Sequence, residues 1–421
     1  MWKRTVAQFI TILLVAITVF SAQRCWTAEK TAYRGTREFM IGGVLTDYLA
    51  FRDFRKQPGE PILVTNPSFP MKLLKKNGFN NIKVTLTTES VPDLWDSTHG
   101  GWQQRDWCCQ EYDLQILKEA SRAGLDLSVT FFFSHLPANA AGQLAPPQWK
   151  DYTVPQMARA LNAYTYKMAK YFRDNGLKVK FYELGNEING GMVGFAPGME
   201  GSRISIPPGV DMLHNLQFLK DNVWSVEVPL LKAAGKGVRA ADPEAKIALH
   251  IAGLGVTPDG AYPISFYKTM VEEGVDFDYA GISYYEWNPD PNTPYVSTEN
   301  LGTFSRAMAA LGKKVLICEF SYPWADPHYI SSEKPVEGYP FTPEGQAAYL
   351  AKFLRSCYSD PNIAGAFYFL PDYCANWGPP IPQQPVRCGL FETNTIPMPA
   401  MKSVKTFVDA NRHAIMTHLR E

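Results

Sequence analysis

Two glutamates stand where this sequence could do chemistry. Glu187 follows the short apolar run Val179–Leu184 within Gly-Asn-Glu-Ile-Asn-Gly at 185–190, and Glu319 closes a second apolar run that begins at Lys314. A carboxylate at the end of an apolar strand is partly desolvated, which holds its proton toward neutral pH. A pair of such carboxylates about 5–5.5 Å apart is what a retaining glycosidase needs, one as acid/base and the other as nucleophile. A single strand-end glutamate serves as readily in a structural ion pair. The two together, with the Asn186-Glu187 dipeptide, point to chemistry. On this reading Glu187 protonates the departing glycosidic oxygen and later deprotonates water. Glu319 attacks the anomeric carbon. Asn186 hydrogen-bonds the sugar 2-hydroxyl, a contact that strengthens in the transition state.

The elements that must carry these residues alternate regularly. Apolar strands are expected at 39–45, 81–87, 127–133, 179–184, 247–251, 279–285, 315–319 and 363–369. Amphipathic helices are expected at 71–77, 111–122, 154–175, 216–240, 264–273, 301–311, 342–356 and 401–412, several stopped by glycine. Eight strand–helix units with near-continuous apolar strands imply a parallel sheet covered by helices and closed as a (β/α)8 barrel, an α/β TIM-barrel fold in one domain. No Gly-rich phosphate loop follows the first strand, which weakens a dinucleotide-binding reading.

In such a barrel the carboxyl ends of the strands form the site. His250 ends the fifth strand, where a core histidine is an equal alternative. On the sixth strand, period two puts Gly281, Ser283 and Tyr285 on one face and Ala280, Ile282 and Tyr284 on the other. Tyr285 is placed toward the mouth, holding Glu319 ionised and aimed. Trp287, Trp324 and Trp377 are candidate sugar platforms, each equally able to pack a loop. Glu183 reads as a buried partner of a Lys or Arg.

The 421 residues carry 41 basic and 41 acidic side chains, and no basic stripe stands out, so nucleic acid is not an expected partner. Aromatics make up 13%, with 10 Trp and 21 Tyr, the residues on which sugar rings stack. Met1, Trp2, Lys3 and Arg4 precede an apolar run from Val6 to Phe20 and then Ser21 and Ala22, the pattern of a secretory signal peptide over about residues 1–25. The run is short for a span of about 20 residues, so export without stable membrane insertion is expected. Among seven cysteines, Cys374 and Cys388 are candidates to close a late loop, while Cys318 reads as a free core thiol. There is no Cys-x-x-Cys pair and no His-Glu-x-x-His helix, so neither a zinc site nor a cofactor is expected.

Five segments together resemble the family-53 glycoside hydrolases, the arabinogalactan endo-β-1,4-galactanases of clan A. They are Leu74–Ile82, Gly185–Gly190, Gly281–Tyr285, Glu319–Pro323 and Tyr339–Ala347, in order along the chain. The resemblance implies a catalytic barrel over about residues 35–415 and a retaining mechanism, with Glu187 as acid/base and Glu319 as nucleophile. It also implies a polysaccharide or oligosaccharide substrate, β-1,4-galactan first. The family's second strand carries two arginines two apart, where this chain has Lys83 and Thr85. Its first-strand Asp falls at Val44, its third-strand His and Asp at Phe132 and His135, and its eighth-strand Trp-Glu at Phe369 and Leu370. Those changes surround the position of the reacting sugar. Another β-glycan (mannan or glucan), or carbohydrate binding without turnover, are the alternatives they leave.

Overall fold

The computed structural model describes residues 38–46, 48–49, 69–89, 109–253, 261–287, 297–326, 334–372, 387–393 and 395–411. The signal-peptide reading, Cys374 and Trp377 lie outside the described residues. One compact unit spans Phe39–Asn411. Eight parallel strands close on themselves in sequence order: β1 (Met40–Val44), β2 (Asn81–Leu86), β3 (Asp126–Phe131), β4 (Val179–Leu184), β5 (Lys246–Ile251), β6 (Tyr279–Tyr284), β7 (Lys314–Phe320) and β8 (Ile363–Phe369). Most of their residues are buried on both faces, which explains the continuous apolar runs.

Around them lie α1 (Phe69–Lys76), α2 (Gln110–Arg122), α3 (Val154–Asp174), α5 (Ala261–Glu272), α6 (Thr298–Ala310), α7 (Pro343–Ser359) and α8 (Pro399–Ala410). Their starts are legible in the sequence. Thr153 and Gln156 form a capping box on α3, and Thr342 Oγ1 accepts the Gly345 N–H on α7. The segment expected as one helix at 216–240 is α4 with an interruption: Leu216–Phe218 and Ser225–Ala241 are α-helical, and Leu219–Trp224 between them is a π-helix. A short antiparallel ribbon, β9 (Phe391–Thr393) with β10 (Ile396–Pro397), follows β8 and has no counterpart among the expected elements. Among the described residues no helix is long and apolar enough to cross a membrane.

The barrel interior packs Met40, Val44, Phe181, Ala248, Leu316, Cys318 and Phe367 together. Closure needs two glycines at the β1–β8 seam. A Cβ on Gly42 would sit 2.8 Å or less from three atoms of the Phe367 ring, and one on Gly365 would sit 2.5 Å from Met40 Cβ. Gly42→Ala should therefore cost roughly 1–3 kcal/mol by overpacking, read as a lower urea midpoint.

Candidate active site

β7 is not a regular strand, and its irregularity aims Glu319. Its pairing with β6 steps from Ile282–Ile317 to Ser283–Glu319, and its pairing with β8 steps from Ile317–Ala366 to Phe320–Tyr368. β7 thus carries one extra residue between Ile317 and Phe320. Strict alternation would place Glu319 on the helix side with Ile317. Cys318 stays in the interior with Leu316, and the bulge turns Glu319 to the mouth and Phe320 outward onto Phe353 at 4.6 Å. Gly281 accommodates it, since a Cβ there would meet Cys318 Sγ at 2.4 Å.

Tyr285 donates its hydroxyl to Glu319 Oε2 at 2.9 Å, while Tyr284 faces the other way and stacks on Phe353 at 4.8 Å. Burial, with Glu319 and Glu187 nearby, holds the Tyr285 phenol well above its ordinary range, so it is a neutral donor. Glu319 is 6% exposed. Burial lifts its carboxyl from 4.5 to about 7, with Glu187 adding to the rise and His250, Lys83 and the Tyr285 hydroxyl opposing it.

Glu187 leaves β4 through Gly185 and sits in the left-handed region at φ 53° and ψ 47°. That conformation is costly for a glutamate and recurs where a fold over-determines a functional group. Both carboxylate oxygens are held: Ser283 Oγ donates to Oε1 at 2.7 Å and the Ala140 N–H to Oε2 at 2.9 Å. The loop after β4 is fixed in turn. Asn189 Oδ1 accepts the Ala252 N–H at 2.7 Å, and Trp224, in the π-helical stretch, donates its indole N–H to Asn189 O at 2.9 Å. Ser283 links the two glutamates: its hydroxyl binds Glu187 while its Cα pairs with that of Glu319 on the next strand.

Asn186 Nδ2 is tied to Ala138 O at 2.9 Å, leaving its Oδ1 buried and unpartnered. That acceptor, with the second amide hydrogen, is what Asn186 has left to offer a ligand. Glu183 does meet a lysine: Lys83 Nζ lies 2.8 Å from Glu183 Oε2 and 3.0 Å from Cys318 O, all within the barrel. Burial opposes the Glu183 charge, but Lys83 and His250 outweigh it and lower its carboxyl from 4.5 to about 2. Glu183, His250 and Cys318 bring metal-ligand atoms within 4.8 Å of one another, and the Glu183 oxygens there are already engaged by Lys83 Nζ and His250 Nδ1.

Two expectations need correction. His250 is wholly buried with both ring nitrogens engaged, Nδ1 with Glu183 at 2.8 Å and Nε2 with Ser283 at 2.9 Å, so it stands behind the site and touches no sugar. Trp287 is 2% exposed, donates to Ser321 O at 2.8 Å and packs edge-on against Tyr285 and Phe341, so it buttresses Tyr285 instead of offering a platform. Trp324 is half-buried, its backbone N–H bound to Arg387 O at 2.8 Å. Sequence reasoning missed Ser283 and the Ala140 amide as ligands of Glu187. The face shared by Ser283 and Tyr285 was the signal for the first; a loop amide leaves none.

Relatives fit this geometry. The chain is 27% identical over 314 residues to a probable arabinogalactan endo-β-1,4-galactanase A from Aspergillus terreus, covering 73% of this chain and 78% of that protein. It is 25% identical over 320 residues to an arabinogalactan endo-β-1,4-galactanase from Humicola insolens, covering 72% and 81%. Its fold is similar to that of the GH53 catalytic domain from Ignisphaera aggregans, with a TM-score of 0.64 at 21% identity over 88% of this chain and 96% of that one. Residues 65–404 match the description of glycosyl hydrolase family 53, and the chain belongs to that family of glycoside hydrolases.

Proposed function

We propose that this glycoside hydrolase cleaves β-1,4-galactan or an arabinogalactan-type polysaccharide by double displacement. Support comes from the galactanase relatives and above all from Ser283, which joins Glu187 by a 2.7 Å hydrogen bond and Glu319 by strand pairing. Glu319 attacks the anomeric carbon as the bond to the leaving oxygen breaks, and Glu187 gives that oxygen its proton. Water then attacks the glycosyl ester, losing a proton to Glu187 and releasing Glu319. Tyr285 holds Glu319 in line, and Asn186 Oδ1 accepts the sugar 2-hydroxyl. The half-buried Trp324 is a remaining platform candidate, as is Trp377, which lies outside the described residues. Residues 1–25 direct export and are removed, which N-terminal sequencing of the protein from culture fluid tests.

The test is product analysis of the purified protein on β-1,4-galactan beside β-mannan and β-glucan. Galactan oligosaccharides whose first-formed reducing end is the β-anomer by NMR are expected. The α-anomer would sink the retaining mechanism. Cleavage only of another glycan would discard the substrate, and binding without product would discard turnover. Glu187→Ala should lower kcat/KM on galactan by about 10²–10⁴-fold. Wild-type turnover by that variant would remove Glu187 from the acid/base role.

A further inference from the structure

Behind Glu187 runs an unbroken line of hydrogen-bonding groups. Lys83 Nζ lies 2.8 Å from Glu183 Oε2, Glu183 Oε1 lies 2.8 Å from His250 Nδ1, His250 Nε2 lies 2.9 Å from Ser283 Oγ, and Ser283 Oγ lies 2.7 Å from Glu187 Oε1. Lys83, Glu183, His250 and Ser283 are all buried, so water cannot substitute for a missing link.

Donor counting gives two arrangements in which a proton can pass along the line. Glu183 is an ionised acceptor, so His250 Nδ1 must carry a hydrogen. Ser283 has one hydroxyl hydrogen and two neighbours. If it donates to a Glu187 carboxylate, His250 Nε2 must donate to Ser283 and the ring is an imidazolium. If Glu187 is a protonated acid, it donates to Ser283, which donates to Nε2 of a neutral imidazole. Each of these two patterns satisfies every group along the line.

We propose that Lys83, Glu183, His250 and Ser283 form a buried proton relay that supports Glu187 in both its roles, as acid in the first step and as carboxylate base in the second. The proposal rests on the acid/base reading of Glu187. Its transfer step balances. The Nε2–H bond breaks as a new Oγ–H bond forms, and the old Oγ–H bond breaks as Oε1–H forms. Imidazolium and carboxylate become imidazole and acid. Lys83 and Glu183 do not move a proton; their pair fixes the acceptor that orients the ring. Ser283 and His250 are positioning residues, because neither touches substrate.

Other ionisable groups face the relay. They are Tyr285 just after β6 and Cys318 and Glu319 from β7, with Tyr267 of α5 behind, its hydroxyl shared between Leu249 O and Gly281 O. Burial keeps the Cys318 thiol neutral. Burial lifts Glu319 to about 7, and it governs the opposite limb of the pH profile.

Leaving-group chemistry separates the relay from packing. Aryl β-galactobiosides with poor leaving groups need the acid, while dinitrophenyl leaving groups do not. Ser283→Ala should lower kcat/KM for the poor leaving group about 10- to 100-fold, with a loss at least about tenfold smaller for the dinitrophenyl glycoside. The alkaline limb of its profile should move while the acid limb stays, and Ser283→Thr, which restores the hydroxyl, should recover most of the loss. Equal losses on both substrates, no loss on either, or an unmoved alkaline limb would overturn the relay. Glu187→Ala is the control. If it shows the selective loss and Ser283→Ala does not, the relay fails and the acid/base reading stands; if Glu187→Ala itself lacks it, that reading fails first.

Discussion

Glu319→Gln is expected to be inactive on galactan and yet harder to unfold than the parent above neutral pH. Loss of the nucleophile should cost on the order of 10⁵–10⁶-fold in kcat, the scale seen when a covalent nucleophile is removed. The stability gain follows from the buried carboxyl, raised from 4.5 to about 7. Between those values the folded protein holds a proton that the unfolded chain has released, so stability falls as pH rises through that window. Above it, the folded state bears a buried negative charge that the amide lacks. The gap corresponds to on the order of 3 kcal/mol, so urea midpoints of parent and variant should coincide near pH 4.5 and separate by pH 8. Equal midpoints at pH 8 would refute this account. The same proton governs activity: a nucleophile must be ionised, so kcat/KM of the parent should rise with pH through about 7.

Lys83→Met should be among the most damaging substitutions to the fold. It leaves Glu183 in the barrel interior without its ammonium, and removing one partner of a buried pair costs about 3–5 kcal/mol. Lys83→Met with Glu183→Gln should cost less than Lys83→Met alone, because no orphaned charge remains. The pH dependence carries the sign. In the parent the Glu183 carboxyl is lowered to about 2, so its contribution is full above 4.5 and is lost as pH falls toward 2. Without Lys83 that contribution disappears, so the deficit of Lys83→Met should shrink on acidification and be greatest at neutral pH. Urea melts at pH 3.5 and 7 measure it; a deficit independent of pH would assign the loss to packing alone.

The parts of this site that follow local rules were legible in the sequence. Apolar runs marked the strands, period two put Ser283 and Tyr285 on one face, and a charged residue inside a strand called for a partner, which is Lys83. What was hidden depends on neighbours distant in sequence. The extra residue in β7 is invisible in an apolar run, since Ile, Cys and Glu follow one another without a break. His250 looked like a ligand-facing strand-end residue, and only the approach of Glu183 and Ser283 from flanking strands engages both its nitrogens. Trp287 shows the limit of composition: an aromatic near the mouth is a platform only if its face is open, and here Tyr285 and Phe341 cover it.

The seam between β1 and β8 has a consequence for the order of assembly. Met40 pairs with Gly365 and Val44 with Phe369, so the strand made first finds its second neighbour only after nearly the whole barrel has been synthesised. Until then β1 and the last completed strand each present an unpaired edge, an invitation to neighbouring chains. Closing so long a loop adds little entropy beyond that of a shorter one but makes the final pairing slow. A chain ending before Ile363 should accumulate as aggregate, and co-expression of the missing carboxyl-terminal piece should return part of it to solution.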